Sequence, residues 1–212
     1  MIFDFERLEK LERYKLLSFT VLPRPIAWVV TEGADGRRNA APFSFFNVMC
    51  SEPPLITIGF TERNPRGKDT PRCIEETGEF VVNLVPYSAL EAMNVTAIEF
   101  GNEVDELAEA RLTILPSHKV KPPRIAESPV ALECKLYQLL KMESGQSICI
   151  GQVVAAHIAD EAIIDAERCY IDTLKLDLVG RMNNCYVRPQ DVIQLPRISV
   201  AEWRASHADA AE

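Results

Sequence analysis

Short runs of β-branched and aromatic residues, each broken off by a turn, set the strongest limit on what this chain can become. Residues 26–31 (IAWVVT), 55–60 (LITIGF) and 80–85 (FVVNLV) are such runs, and 130–137 and 148–158 are longer ones. Side chains branched at Cβ lose little freedom on a pleated strand and pack well there, so these runs read as strands. The Asp35-Gly36 pair inside ADGR at 34–37 carries a hairpin signal directly after the first run. Helical patterning is confined to about 71–77, 86–94 and 103–109, and to an N-terminal stretch where Phe5, Leu8, Leu11 and Leu16 recur at helical spacing. That first helix is expected to pack outside the main body. Many strands, few helices and no strand–helix alternation argue for an antiparallel barrel rather than a doubly wound parallel sheet.

Composition narrows the function classes. Net charge is −8, from 23 basic and 31 acidic residues, which argues against a nucleic acid or an anionic membrane held by bulk electrostatics. No apolar run approaches the ~18–20 residues that cross a bilayer, and charges stand where a secretory signal would be apolar, so a cytoplasmic setting is expected. The six cysteines form no C-x-x-C, and no histidine pair has the spacing of metal ligands, so no metal is expected. Neither a nucleophile elbow nor a G-x-G-x-x-G or Walker motif occurs, which argues against acyl transfer and a Rossmann cofactor site.

Two segments could carry chemistry. Arg63, Arg66, Lys68 and Arg72 concentrate positive charge in an otherwise acidic chain. Pro71 suits the first position of a helix, which puts Thr70 at the N-cap and Gly78 beyond the helix end. Lys68, the Thr70 hydroxyl and the first helical amides would then suit a phosphate. Capped surface helices far outnumber anion sites, so a plain capped helix stands as the alternative.

The second segment is NAAPFSFFNVMCSEPPL at 39–55. Pro42, Pro53 and Pro54 cannot donate to a ladder, so an edge or interrupted strand and a rigid turn are expected there. Unpaired backbone groups, Ser44, Asn47 and three phenylalanines would suit a flat heteroaromatic ring with a polar edge. A structural bend lined by core aromatics is the alternative reading. Cys50 lies beside this segment.

The order of these motifs resembles a known family. RPIAWV at 24–29, N-x-APFSFFN at 39–47, PPL at 53–55, Lys68-Asp69-Thr70, GEFVVNL at 78–84, PV-x-LEC at 129–134, Gly151-Gln152-Val153 and Gly180-Arg181 with Tyr186 are together similar to the flavin reductase-like flavoproteins with an FMN-binding split barrel. The similarity runs over about 24–190. It implies a mainly β fold, a six-stranded antiparallel split β-barrel with a few short peripheral helices over residues 21–195. An N-terminal helical extension (1–20) and a C-terminal tail (196–212) would flank it.

It further implies a homodimer with FMN near the subunit interface. Ser44, Phe45, Phe46 and Asn47 would contact the isoalloxazine, Lys68 and Thr70 would hold the phosphate with Arg63 assisting, and Thr31 and Arg181 would be further site members. NADH or NADPH would be the reductant and a small molecule or a protein the acceptor. Chemistry would run on the flavin, with no catalytic side chain. One departure stands out. Nicotinamide-using members carry Gly-Asp-His before the Ile-Phe-Ile-Gly-Glu-Val strand, and here the matching segment is Ser144-Gly145-Gln146. Glutamine can hydrogen-bond but does not titrate near neutrality. An electron-transfer flavoprotein fed by a protein partner, or a non-catalytic small-molecule-binding barrel, are the competing readings.

Overall fold

A computed structural model describes residues 1–61, 69–101 and 104–206. Seven strands make one antiparallel sheet: β1 (Ala27–Glu32), β2 (Arg38–Phe43), β3 (Phe46–Ser51), β4 (Pro54–Phe60), β5 (Glu79–Leu84), β6 (Val130–Lys141) and β7 (Ser147–Ile158). Their spatial order is β2-β1-β5-β6-β7-β4-β3. Helices α1 (Lys10–Thr20), α2 (Asp69–Thr77) and α3 (Leu90–Val95) lie around it, and no helix among the described residues is long and apolar enough to cross a membrane.

The expected mainly β, antiparallel fold is present, but where a six-stranded split β-barrel was expected the sheet has seven strands and does not close into a barrel. The extra strand comes from 38–60. The chain pairs there as three strands, because Pro42 sits on the edge strand β2 and Pro53 falls in the turn between β3 and β4. The edges β2 and β3 are consecutive in the chain, joined by Ser44 and Phe45 alone, so the sheet must curl until they meet at one end. Contact across the seam is by side chains. Phe43 of β2 packs edge-on against Phe60 of β4 with ring centroids 4.7 Å apart, while among the described residues no ladder joins β2 to β3.

Alternation along β1 serves two cores. Ala27 and Val29 face inward with Ile56, Ile58, Phe60, Phe80 and Val82. Trp28 and Val30 face outward onto Met93, Val85 and Ile125. Burial on both faces explains why the first four residues of this strand, Ala27 to Val30, are all apolar. The outer core is pinned by polar links: Trp28 Nε1 donates to Thr96 Oγ1 at 2.9 Å, and Asn83 joins the Trp28 carbonyl (3.1 Å) to the Ile125 amide (3.0 Å). Inside the curl, α2 contributes Ile74 to the core and stops at Gly78, whose φ of +72° suits a residue without Cβ.

Gly151 on β7 shows how tightly the curl closes. A Cβ there would come within 2.4 Å of the Phe80 ring, which reaches over from β5. Gly151→Ala is therefore expected to destabilise the protein by about 1–3 kcal/mol through overpacking. Urea unfolding measures it, and an unchanged midpoint would mean that Phe80 has room to move aside.

Candidate functional site

Where the two sheet edges meet, the Ser44-Phe45 link and the start of β3 form one wall of a groove of about 330 Å³. Ser44, Phe45, Phe46 and Asn47 all line it, together with Met49 and Thr57, so the four residues expected at a flavin ring are brought together. Phe43, the third phenylalanine of that segment, is instead 5% exposed and belongs to the inner core. β3 pairs with β4 on one side only, which leaves its other edge available for in-plane hydrogen bonds.

The opposite wall comes from a part of the chain to which the sequence reading gave no site role. Leu17 of α1, Val21, Pro23 and Pro25 line the groove, and Tyr14 of α1 meets Phe45 with ring centroids 5.9 Å apart. α1, expected to pack outside the main body, is largely exposed on the outside of the sheet and forms a side of the groove. What fastens it is Arg24. Its Nη1 donates to the Ser18 and Val21 carbonyls at the end of α1, and its Nε donates to Ser44 Oγ at 3.3 Å.

Arg24 is 6% exposed, and its guanidinium lies 5.8 Å from the Phe45 ring centroid. No carboxylate partners it among the described residues. Burial pulls its pKa below the ordinary value, and the positive charge of Arg181 adds to this while Tyr14 opposes it. The groove thus combines apolar walls, a hydroxyl, a strand edge and a positive charge paired with neutral oxygens only. The one advance signal was Arg24-Pro25, a cation beside a rigid residue at the mouth of β1.

Other expected site residues fall elsewhere. Thr70 is buried in the first turn of α2, which begins at Asp69, so it is not the N-cap. Its Oγ1 accepts from Asn39 Nδ2 at 2.8 Å and retains its own proton to donate. Thr31 is fully buried at the end of β1 against Cys73 of α2 and lines a separate polar cavity with Arg38 and Arg72. Asn39 and Ser44 are five residues apart on and beyond β2, a span of roughly 17 Å, so the α2 end and the ring groove stand at opposite ends of one strand. Arg181 faces a third cavity beyond Arg24. Arg63 and Lys68 lie outside the described residues. Gln146 sits in the β6–β7 turn, away from the walls of the groove.

An antiparallel sheet that curls in this way and stays open at its seam is the split-barrel fold. The chain belongs to the flavin reductase-like family, matching the family described as "Flavin reductase like domain" over residues 19–172. YwrF of Bacillus subtilis is 40% identical over 204 residues, 93% of this chain and 99% of that protein. Among solved structures, 2-nitrobenzoate 2-nitroreductase NbaA of Pseudomonas fluorescens is 31% identical with a TM-score of 0.86, covering 94% of this chain and 98% of that one. Nitrilotriacetate monooxygenase component B of Bacillus cereus is 28% identical with a TM-score of 0.86, covering 92% and 98%.

Proposed function

We propose that this protein is an FMN-dependent oxidoreductase that passes hydride or electrons from NADH, NADPH or a protein donor to a small-molecule or protein acceptor. The isoalloxazine is assigned to the groove at Ser44, Phe45, Phe46 and Asn47, and the phosphate to Thr70 and Lys68 with Arg63. FMN, when bound, supplies the redox chemistry, and the chain supplies orientation, anchoring and electrostatics. The observation that carries this reading is the groove itself, where apolar walls meet Arg24, a buried cation without a carboxylate partner among the described residues.

Each group has a task. Phe45 and Phe46 offer apolar contact to a flat ring, while the outer edge of β3 and the Ser44 hydroxyl offer in-plane hydrogen bonds. Arg24 places positive charge where a ring gaining electrons would accumulate negative charge. A homodimer is part of the proposal. Val48 and Met49 of β3 are 68% and 57% exposed beside the groove and leave apolar surface for a second copy to cover.

Gln146 lies away from the groove walls, so its lack of a titrating side chain does not decide between a nicotinamide and a protein donor. The purified protein is expected to be yellow, with the paired visible absorption bands of an oxidised flavin. A colourless preparation that also fails to bind added FMN would overturn the assignment. Stopped-flow mixing with NADH and NADPH then separates the donors. Bleaching no faster than the buffer control leaves the protein donor.

A further inference from the structure

We infer that a second cavity, sharing Arg24 and Ser44 with the ring groove, is an anion pocket that takes the carboxylate of an acceptor substrate. It measures about 180 Å³ and is lined by Tyr14, Arg24, Ser44, Asn94, Arg181 and Tyr186 among others, with no aspartate or glutamate in its wall. Two guanidiniums facing one small cavity without an acid are unusual in a chain of net charge −8. This inference rests on the proposed flavin groove, because it names the substrate class of that same site.

Both cations are held in place by neutral groups. Arg181 Nε donates to the Asn183 carbonyl at 2.8 Å, and its Nη1 donates to the Tyr186 hydroxyl at 2.5 Å. Its guanidinium also stacks 4.7 Å from the Tyr186 ring centroid. The backbones of Arg24 and Arg181 are tied by reciprocal hydrogen bonds of 3.0 and 2.8 Å, so the two charges are fixed side by side. Neither has a carboxylate partner among the described residues. Burial is the main cause that lowers the pKa of Arg24, and the repulsion from the neighbouring Arg181 charge adds a smaller share. A bound anion would relieve that repulsion. A planar carboxylate matches guanidinium geometry, and the 180 Å³ volume admits a small carboxylate beside the groove assigned to the ring, so that the rest of the molecule would lie against the ring's exposed face.

Benzoate and its neutral isostere benzamide are the probes, titrated calorimetrically into the whole protein with and without FMN. Benzoate is expected to bind at least about tenfold tighter than benzamide, the worth of one charge-assisted hydrogen bond. Arg181→Gln should abolish that preference, and Arg181→Lys should retain part of it. Circular dichroism and urea unfolding confirm that each variant is folded before it is titrated. Equal binding of the two probes by the wild type overturns the proposal, as does a preference that survives in folded Arg181→Gln. Inorganic phosphate that displaces benzoate and binds more tightly marks a phosphate site and overturns the carboxylate assignment. Because the flavin-free titration needs no cofactor, a protein that prefers benzoate yet never binds FMN refutes the flavin reading while leaving the anion pocket standing.

Discussion

Glu133→Ala is expected to cost about 3 kcal/mol or more of folding stability, among the largest effects of any single substitution in this fold. Glu133 is fully buried on β6 and yet carries a carboxylate. That carboxylate accepts from the backbone amides of His118 (2.7 Å), Lys119 and Val120 (3.2 Å), and its Oε1 meets His157 Nε2 of β7. It is therefore the clamp that holds the 118–120 turn against the sheet. Truncation leaves three amides without their acceptor and His157 without its partner. Glu133→Gln keeps the shape and one acceptor oxygen but loses the charge, so it should cost less. Urea unfolding of both variants checks the order, and a Glu133→Ala protein as stable as wild type would show that the turn finds water at no cost.

The same residue gives a pH dependence with a defined sign. Burial pushes the Glu133 carboxyl up, but the hydrogen bonds from His157 and from the His118 and Lys119 amides outweigh it, so its pKa in the folded protein is below the ordinary carboxylate value. A carboxyl with a depressed folded pKa adds stability above its unfolded pKa and loses it as pH falls through the folded one. The gap between wild type and Glu133→Gln should thus be full at neutral pH and shrink in the acid range below the ordinary glutamate value. A gap that stays constant down to that range would mean that the charge of Glu133 contributes nothing and only its shape matters.

Glu133 also marks where the sequence stops being legible. The runs at 26–31, 55–60 and 80–85 are found as β1, β4 and β5 almost residue for residue, because β-branched side chains on a pleated strand need no distant partner to declare themselves. In the run at 130–137, Glu133 and Lys135 alternate with apolar residues, the pattern of a half-buried strand with Glu133 on its polar face. Glu133 is buried because a turn 13 to 15 residues upstream folds over it, and the alternation holds no trace of that turn. The count of strands failed for a similar reason: whether 38–60 makes two strands or three depends on which edges the prolines occupy. Ser44, Phe45, Phe46 and Asn47 were legible as a group because they are contiguous. Arg24 and α1 were not, since their place at the groove is set by the return of the chain at 18–24 and by the curl that brings Ser44 to meet them.

The double substitution Lys68→Ala with Thr70→Ala is expected to weaken FMN binding by about 2–4 kcal/mol, one charge-assisted and one neutral hydrogen bond, or roughly 30- to 1000-fold in Kd. Thr70 complicates the reading in a way that the geometry makes tractable. Its hydroxyl already accepts from Asn39 Nδ2, so its removal leaves a donor unpaired where Thr70 is 1% exposed, and a stability loss of about 1–3 kcal/mol accompanies any loss of affinity. Lys68→Ala alone carries no such cost from the Asn39 link and should account for about 1.5–3 kcal/mol of the binding effect. Flavin fluorescence quenching gives the affinity, and urea unfolding of the flavin-free variants gives the stability. Tight FMN binding by a folded Lys68→Ala, Thr70→Ala protein would move the phosphate elsewhere. The cavity beside Thr31, lined by Arg38 and Arg72, would then be the next place to look, and Arg38→Ala would discriminate between the two cavities.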